Sequence, residues 1–280
     1  MNTSNYPSFA TGIAHQQYLP AEEGILKAAK DGCTHWYVDG SLHGEMVPDW
    51  SSERIENINS LIKKYNVQPI FHGNFKAPLG SDVDYLREAA VEYVKKEIDI
   101  SAKIGAPLII HGGGIVEPKK IVLAKQKALD NFIKSVKELA EYAKDKSVDI
   151  YLENLSNYKF YRPFYYVFTH MEEYDYVFDN ININNDNVYF FLDAGHANIG
   201  EGDPIEIVKK YHKKIKAISF SNNNGEQDQH FSISRGTVNF TEFVDILNKS
   251  KWKGIVAFEV RDKSTRDSIK ELSDASLITV

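Results

Sequence analysis

Val188-Tyr189-Phe190-Phe191-Leu192-Asp193-Ala194-Gly195-His196 is an apolar run that ends on a carboxylate, with an imidazole one helical turn further on. A run without polar alternation suits a strand covered on both faces, as in a parallel sheet sheathed by helices. The same design recurs on either side of it. Strand-like runs fall at 9–14, 34–38, 67–72, 107–111, 148–153, 188–193, 217–220 and 255–260. Amphipathic stretches separate them, with apolar residues at helical spacing: Ile55, Ile58, Leu61, Ile62 and Tyr65 in one, and Leu129, Phe132, Ile133, Val136, Leu139 and Ala143 in another. Pro20 stands where the first helix should start and Gly32 where it should have ended. Asp203-Pro204 reads as a cap followed by Pro at the first helical position. Thr241 and Ser264 are expected to cap the last two helices. Residues 180–187 (NININNDN) read as a loop.

Eight strands each followed by a helix predict an α/β protein, a (β/α)₈ TIM barrel, as one domain over 1–280. An open doubly wound sheet is the alternative, but no GxGxxG or GxxxxGK[ST] follows any strand. Length supports a single barrel, since such domains take about 250 residues. Apolar residues make up 42% and charged residues 26% of the chain, ordinary values for a globular protein. The net charge of −6 makes a nucleic-acid partner unexpected, because such proteins usually carry a basic footprint. Cys33 is the only cysteine, so no intrachain disulfide can form, and its apolar setting predicts an inert thiol. The N-terminus lacks the pattern of a signal peptide, and no stretch has the ~20 apolar residues of a membrane helix. A cytoplasmic protein with no membrane partner is expected.

Barrel enzymes work at the C-terminal ends of their strands. The residues closing these runs are, in order, His15, Asp39, His72, His111, Glu153, Asp193 with His196, a loop carrying Asp228 and His230, and Glu259. Five of the nine histidines sit there. His72 or His111 alone reads as a hydrogen-bonded core histidine. Glu153, Asp193 and Glu259 are harder to place in that way, because a carboxylate at the end of an apolar strand is costly to bury unpaired. Few basic residues stand at neighbouring strand ends to pair with them. Mixed imidazole and carboxylate donors suit Mn²⁺, Mg²⁺, Co²⁺ or Zn²⁺, and the lack of thiolates argues against a structural zinc site.

The segments IFHGN (70–74), IIHGG (109–113), IYLEN (150–154), FFLDAGH (190–196), DQHFSISRG (228–236) and AFEV (257–260) together resemble the xylose isomerase-like barrel superfamily. That group contains sugar and sugar-phosphate isomerases and epimerases, and the endonuclease IV repair enzymes. Resemblance to the isomerase branch implies a metal on Glu153, Asp193 and Glu259, with a histidine after strand seven as nitrogen donor. His230, with Asp228 beside it, is the ligand expected to take that part. It also implies Glu153 and Glu259 as the pair that moves a proton through an enediolate. His72, His111, His196 and Arg235 would then bind a small sugar-like substrate. Resemblance to endonuclease IV implies three zinc ions, with further ligands at His72, His111, His196, Asp228 and His230. It carries an abasic-site nuclease as the alternative activity. A related dehydratase or lyase is another alternative. The resemblance also implies dimers or tetramers. One segment departs from the pattern: Ile218-Ser219-Phe220-Ser221-Asn222 puts serine where relatives have histidine. With His230, Asn222 or water as substitutes, a metal centre survives; without one, a non-catalytic barrel is expected.

Overall fold

The computed structural model describes residues 12–15, 18–117, 119–160, 162, 164–181, 186–200 and 202–277. The strands are β1 (Gly12–His15), β2 (His35–Asp39), β3 (Gln68–His72), β4 (Leu108–His111), β5 (Gly114–Ile115), β6 (Ile150–Glu153), β7 (Tyr165–Tyr166), β8 (Val188–Asp193), β9 (Ile215–Phe220) and β10 (Ile255–Phe258). The helices are α1 (Ala21–Lys30), α2 (Ser52–Tyr65), α3 (Asp84–Ile104), α4 (Ile121–Lys144), α5 (Met171–Asn180), α6 (Ala194–Ala197), α7 (Pro204–Tyr211), α8 (Phe240–Lys249) and α9 (Thr265–Leu277). Eight strands pair in parallel and close in the order β1-β10-β9-β8-β6-β4-β3-β2. The expected (β/α)₈ barrel is therefore what forms. Of the first expected strand, residues 9–11 lie outside the described residues. The eighth is shorter than expected and ends at Phe258.

Side-chain parity explains why the mouth is polar. Successive residues of a strand face opposite sides. Ala14, Tyr37, Ile70, Ile109, Tyr151, Phe191, Ala217 and Ala257 form one cluster inside the barrel. Their strand neighbours, including Trp36, Phe71, Leu108, Phe190 and Ile218, pack outward with the helices in a second, larger core. Two residues beyond the inner layer, on the same face, stand Asp39, His72, His111, Glu153, Asp193, Ser219 and Glu259. Between β8 and β9 the register shifts at Phe190/Phe191, which sets Asp193 beside Ser219.

Local signals fix most helix starts. Asp203 accepts hydrogen bonds from the N–H groups of Ile205 and Glu206 at 2.9 and 3.1 Å, as its sequence position requires. Ser264 accepts from Asp267 N–H at 3.2 Å and caps α9. Thr241 does not cap α8: Asn239 does, accepting from Glu242 N–H at 3.2 Å, because the helix starts two residues earlier, at Phe240. Cys33 is buried, and burial pushes its thiol up to about 12, so the thiolate is scarce at neutral pH. No helix among the described residues is long and apolar enough to cross a membrane.

Candidate metal centre

The DAGH segment shows how local folding makes a ligand. Asp193 ends β8 and caps the short α6, its Oδ1 accepting from His196 N–H at 2.6 Å. That leaves Oδ2 free: it is buried and has no hydrogen-bond partner. The turn also brings His196 back over the barrel. Its Nδ1 lies 2.9 Å from the Asn154 carbonyl oxygen, 3.5 Å from Glu153 Oε1 and 3.7 Å from Asp193 Oδ2. Donation to the carbonyl puts the proton on Nδ1 and turns Nε2 toward Asp228 Oδ2, 3.4 Å away. Asn154 also joins the two strands. Its side-chain oxygen accepts from Asp193 N–H at 2.8 Å, and its amide donates to Asp193 O at 3.0 Å.

Glu153 is the hub. Its Oε2 lies 3.0 Å from His111 Nε2 and 3.5 Å from His72 Nε2. His72 in turn has Nδ1 3.7 Å from Asp39 Oδ1. On the far side, His230 Nε2 is 2.9 Å from Asp228 Oδ2, while its Nδ1 donates to Glu259 O at 2.9 Å. His230 reaches this place from a long loop because its φ of +52° lies in the left-handed region. Arg261 N–H donates to its carbonyl at 2.8 Å and holds the turn. Tyr37 donates to Glu259 Oε1 at 3.3 Å. All these ion-pair partners of Glu153, Asp193 and Glu259 are imidazoles; no Lys or Arg takes that part among the described residues.

These contacts spread the charge states apart. Burial resists ionisation of Glu153, but the charge of His111 and hydrogen bonds from His111, His196 and His72 hold it well below the ordinary range. Burial, with the charges of Asp193 and Glu153, pushes Glu259 up to about 7 against the pull of His230 and His196. Asp193 is raised chiefly by burial. His72 and His196 are carried well above the usual imidazole range: burial opposes this, but carboxylates on both sides overcome it. His111 is lowered by burial.

The donor set fits a divalent cation. His72, His111 and Glu153 offer ligand atoms within 4.8 Å of one another, as do Glu153, Asp193 and His196. The unpartnered Asp193 Oδ2 and Asp228 Oδ1 are buried oxygens of the kind a cation satisfies. Nearly every strand-end residue expected from sequence converges here. His15 does not. It follows the inward Ala14 and so faces α1, pairing with Asp31 at 3.1 Å. Arg235 also stands apart, with a side chain 61% exposed and paired to Asp262 at 3.3 Å. Asn222 is no substitute ligand, because its amide donates to Ile233 O and Val238 O and its oxygen accepts from Asn223 and Val238 N–H. Ser219 stands opposite Asp193, fully buried, with an unpartnered hydroxyl.

A cavity of about 410 Å³ opens beside the carboxylates, lined by Tyr18, Leu19, Asp39, His230, Glu259, Val260 and Arg261. The segment after β6 lines a second, smaller cavity with Tyr158, Phe164, Tyr165 and Tyr166. There β7 pairs antiparallel with β5 as a two-stranded ribbon. Tyr166 on that ribbon feels the charges of His196 and Asp228. Tyr158 and Phe164 stack near it at 6.3 and 5.2 Å. Tyr161 of the same segment lies outside the described residues.

Residues 25–276 match the family model described as the xylose isomerase-like TIM barrel. The chain belongs to that family. Two uncharacterized proteins of Methanocaldococcus jannaschii are similar in sequence to this xylose isomerase-like barrel. One is 27% identical over 92% of the chain and 85% of its own length. The other is 29% identical over 88% and 85%. Among solved structures, a D-tagatose 3-epimerase-like protein superposes with a TM-score of 0.78 at 23% identity, covering 96% of this chain and 98% of that one. The 3-keto-D-glucoside 4-epimerase of E. coli gives 0.70 at 16% identity, over 96% and 97%. An IolI protein with a bound zinc atom gives 0.74 at 15%, over 96% and 98%. At these identities the likeness establishes the fold.

Proposed function

We propose that this chain is a metal-dependent isomerase or epimerase of a sugar, sugar phosphate or related polyhydroxy carbonyl compound. The observation that carries this reading is that Glu153 and Asp193, both buried at the mouth, feel the charge of Glu259 and find only imidazoles, not Lys or Arg, as ion-pair partners among the described residues. The epimerases among the structural neighbours support it. Glu153, Asp193 and Glu259 would hold the ion, which supplies Lewis-acid stabilisation to adjacent carbonyl and hydroxyl oxygens when bound. Glu153 and Glu259 come from strands separated by β8 and β9, so they reach the substrate from different sides of the mouth. At neutral pH Glu153 stands ionised and takes the proton from carbon, leaving an enediolate. Glu259, with a carboxyl near 7, is part protonated and returns a proton to the other face. His111 and His72 donate to substrate oxygens, and Arg261 at the cavity rim takes the place first expected of Arg235.

A second reading, an abasic-site endonuclease, draws on the extra nitrogen-bearing groups His72–His111 and His196–His230. The acid-lined mouth and the net charge of −6 weigh against it. One experiment separates the two. Ketoses and an abasic-site duplex are each incubated with the protein, with and without EDTA, beside Glu259→Gln. Epimerisation abolished by EDTA and cut by 10²-fold or more in the variant is expected, in the range typical of a lost acid–base group. Chelator-sensitive incision without epimerisation overturns the proposal in favour of the nuclease.

A further inference from the structure

We propose that the barrel has a second ligand site at its foot, the end opposite the mouth, for a small uncharged polyhydroxy compound. A cavity of about 350 Å³ opens there, with His35, Gln68, Ser101, Asp149 and Tyr151 in its lining. Strand parity places three of them. His35, Gln68 and Asp149 stand two residues before Tyr37, Ile70 and Tyr151 of the inner apolar layer, so they face the barrel axis below it. That layer separates the foot from the carboxylates of the mouth.

The foot is ordered, yet its polar groups are unused. The His35 ring lies across Gly12, where a Cβ would collide with it, so only glycine leaves room for the imidazole. Thr34 Oγ1 accepts from Ile13 N–H at 3.0 Å, and its own hydroxyl donates to His35 Nδ1 at 2.8 Å. The ring proton then sits on Nε2, which has no partner among the described residues. Burial holds this imidazole down at about 4, so it is neutral at physiological pH. Ser101, in the last turn of α3, is fully buried, and its Oγ has no hydrogen-bond partner. The side chains of Gln68, Asp149 and Tyr151 likewise make no hydrogen bond or ion pair among the described residues.

This combination selects the occupant. A buried hydroxyl without a partner costs free energy that a ligand's hydroxyl recovers. An imidazole N–H, a phenol, a carboxamide and a carboxylate add donors and acceptors around it. No Lys or Arg lines the cavity, so a phosphate or carboxylate group would meet no counter-charge in the lining. Lys216 acts on Asp149 from outside it and lies 4.8 Å over the Tyr189 ring. Pro69, Pro107, Val148 and Ile255 supply apolar wall for the C–H faces of a sugar or sugar alcohol. The volume stands at the small end of ligand pockets, about 300–1,000 Å³, which limits the occupant to one small molecule.

The test resolves the two ends of the barrel. The full-length protein is labelled at Ile, Leu and Val methyl groups and titrated separately with xylitol, D-sorbitol and inorganic phosphate, followed by methyl NMR. A sugar alcohol has no carbonyl, so the chemistry proposed for the mouth does not act on it. Ile255 and Val148 report on the foot, Leu19 and Val260 on the mouth. At least one polyol should shift Ile255 and Val148 saturably in the millimolar range, on a curve separate from any change at Leu19 and Val260. His35→Phe, which keeps a ring over Gly12, should weaken that binding about fivefold, the loss expected for one hydrogen bond. Ala102→Trp, at an exposed position on the cavity wall, should abolish it. No saturable polyol shift at Ile255 and Val148 overturns the inference, as does saturation by phosphate alone. Binding unchanged in folded His35→Phe and Ala102→Trp also overturns it. If neither variant folds, the native titration decides alone. Failure of the epimerase assignment at the mouth would leave this result untouched.

Discussion

Two layers of the barrel interior lie one step of two residues apart, roughly 7 Å along the same strands. The lower one is Tyr37, Ile70, Ile109, Tyr151, Phe191, Ala217 and Ala257. The upper one is Asp39, His72, His111, Glu153, Asp193, Ser219 and Glu259. The lower layer fills the barrel and is apolar apart from two phenols. The upper layer gathers like charges that repel one another in a buried place. The contrast teaches that the lower layer supplies rigidity and the upper layer draws on it. Carboxylates can be held close together here because eight paired strands fix their spacing.

Breaking the lower layer should cost the most stability. Phe191 is fully buried inside the barrel. Phe191→Ala should destabilise the protein by about 3–5 kcal/mol in denaturant unfolding, the usual result of emptying an aromatic core site. A cost below ~1 kcal/mol would mean that the layer is not packed as described. The upper layer should respond in the opposite sense. Burial and neighbouring charge raise the Glu259 carboxyl from 4.5 to about 7. The native state therefore binds more protons than the unfolded state between these values, and the stability this group contributes at low pH is lost as pH rises through that window. In metal-free protein, Glu259→Gln should leave Tm nearly unchanged at pH 4.5 and raise it by several degrees at pH 8. Equal shifts at both pH values would contradict the charge crowding assigned to the mouth.

Much of this was legible beforehand because strand geometry leaves little freedom. A residue that ends an apolar strand at the right parity must face the mouth, and Glu153, Asp193, His72, His111 and Glu259 follow that rule. His15 broke the expectation through the same rule, since Ala14 claims the inward face. Other parts depend on contacts between distant segments. Tyr37 on β2 reaches Glu259 past β1, a separation of 222 residues. The Asn154 staple forms only when the end of β6 meets β8, and the ribbon of β5 and β7 only when the loops after β4 and β6 meet. His230 was expected at the centre from resemblance, but the left-handed backbone that puts it there, and that fixes which nitrogen faces Asp228, is set by the loop around Asn222 and Arg261. Ser219 could be read as a departure; that its hydroxyl stays unpartnered beside Asp193 needed the register.

The central claim is that the upper layer moves a proton on a carbon beside a carbonyl. It is tested most directly by turnover in D₂O with Mn²⁺, following the carbon-bound hydrogens of a panel of ketoses by NMR. The account predicts solvent deuterium at the carbon whose configuration inverts, with no exchange after chelation and none in Glu153→Gln. Turnover that retains the original hydrogen, or exchange that persists at full rate in metal-free protein, would contradict it.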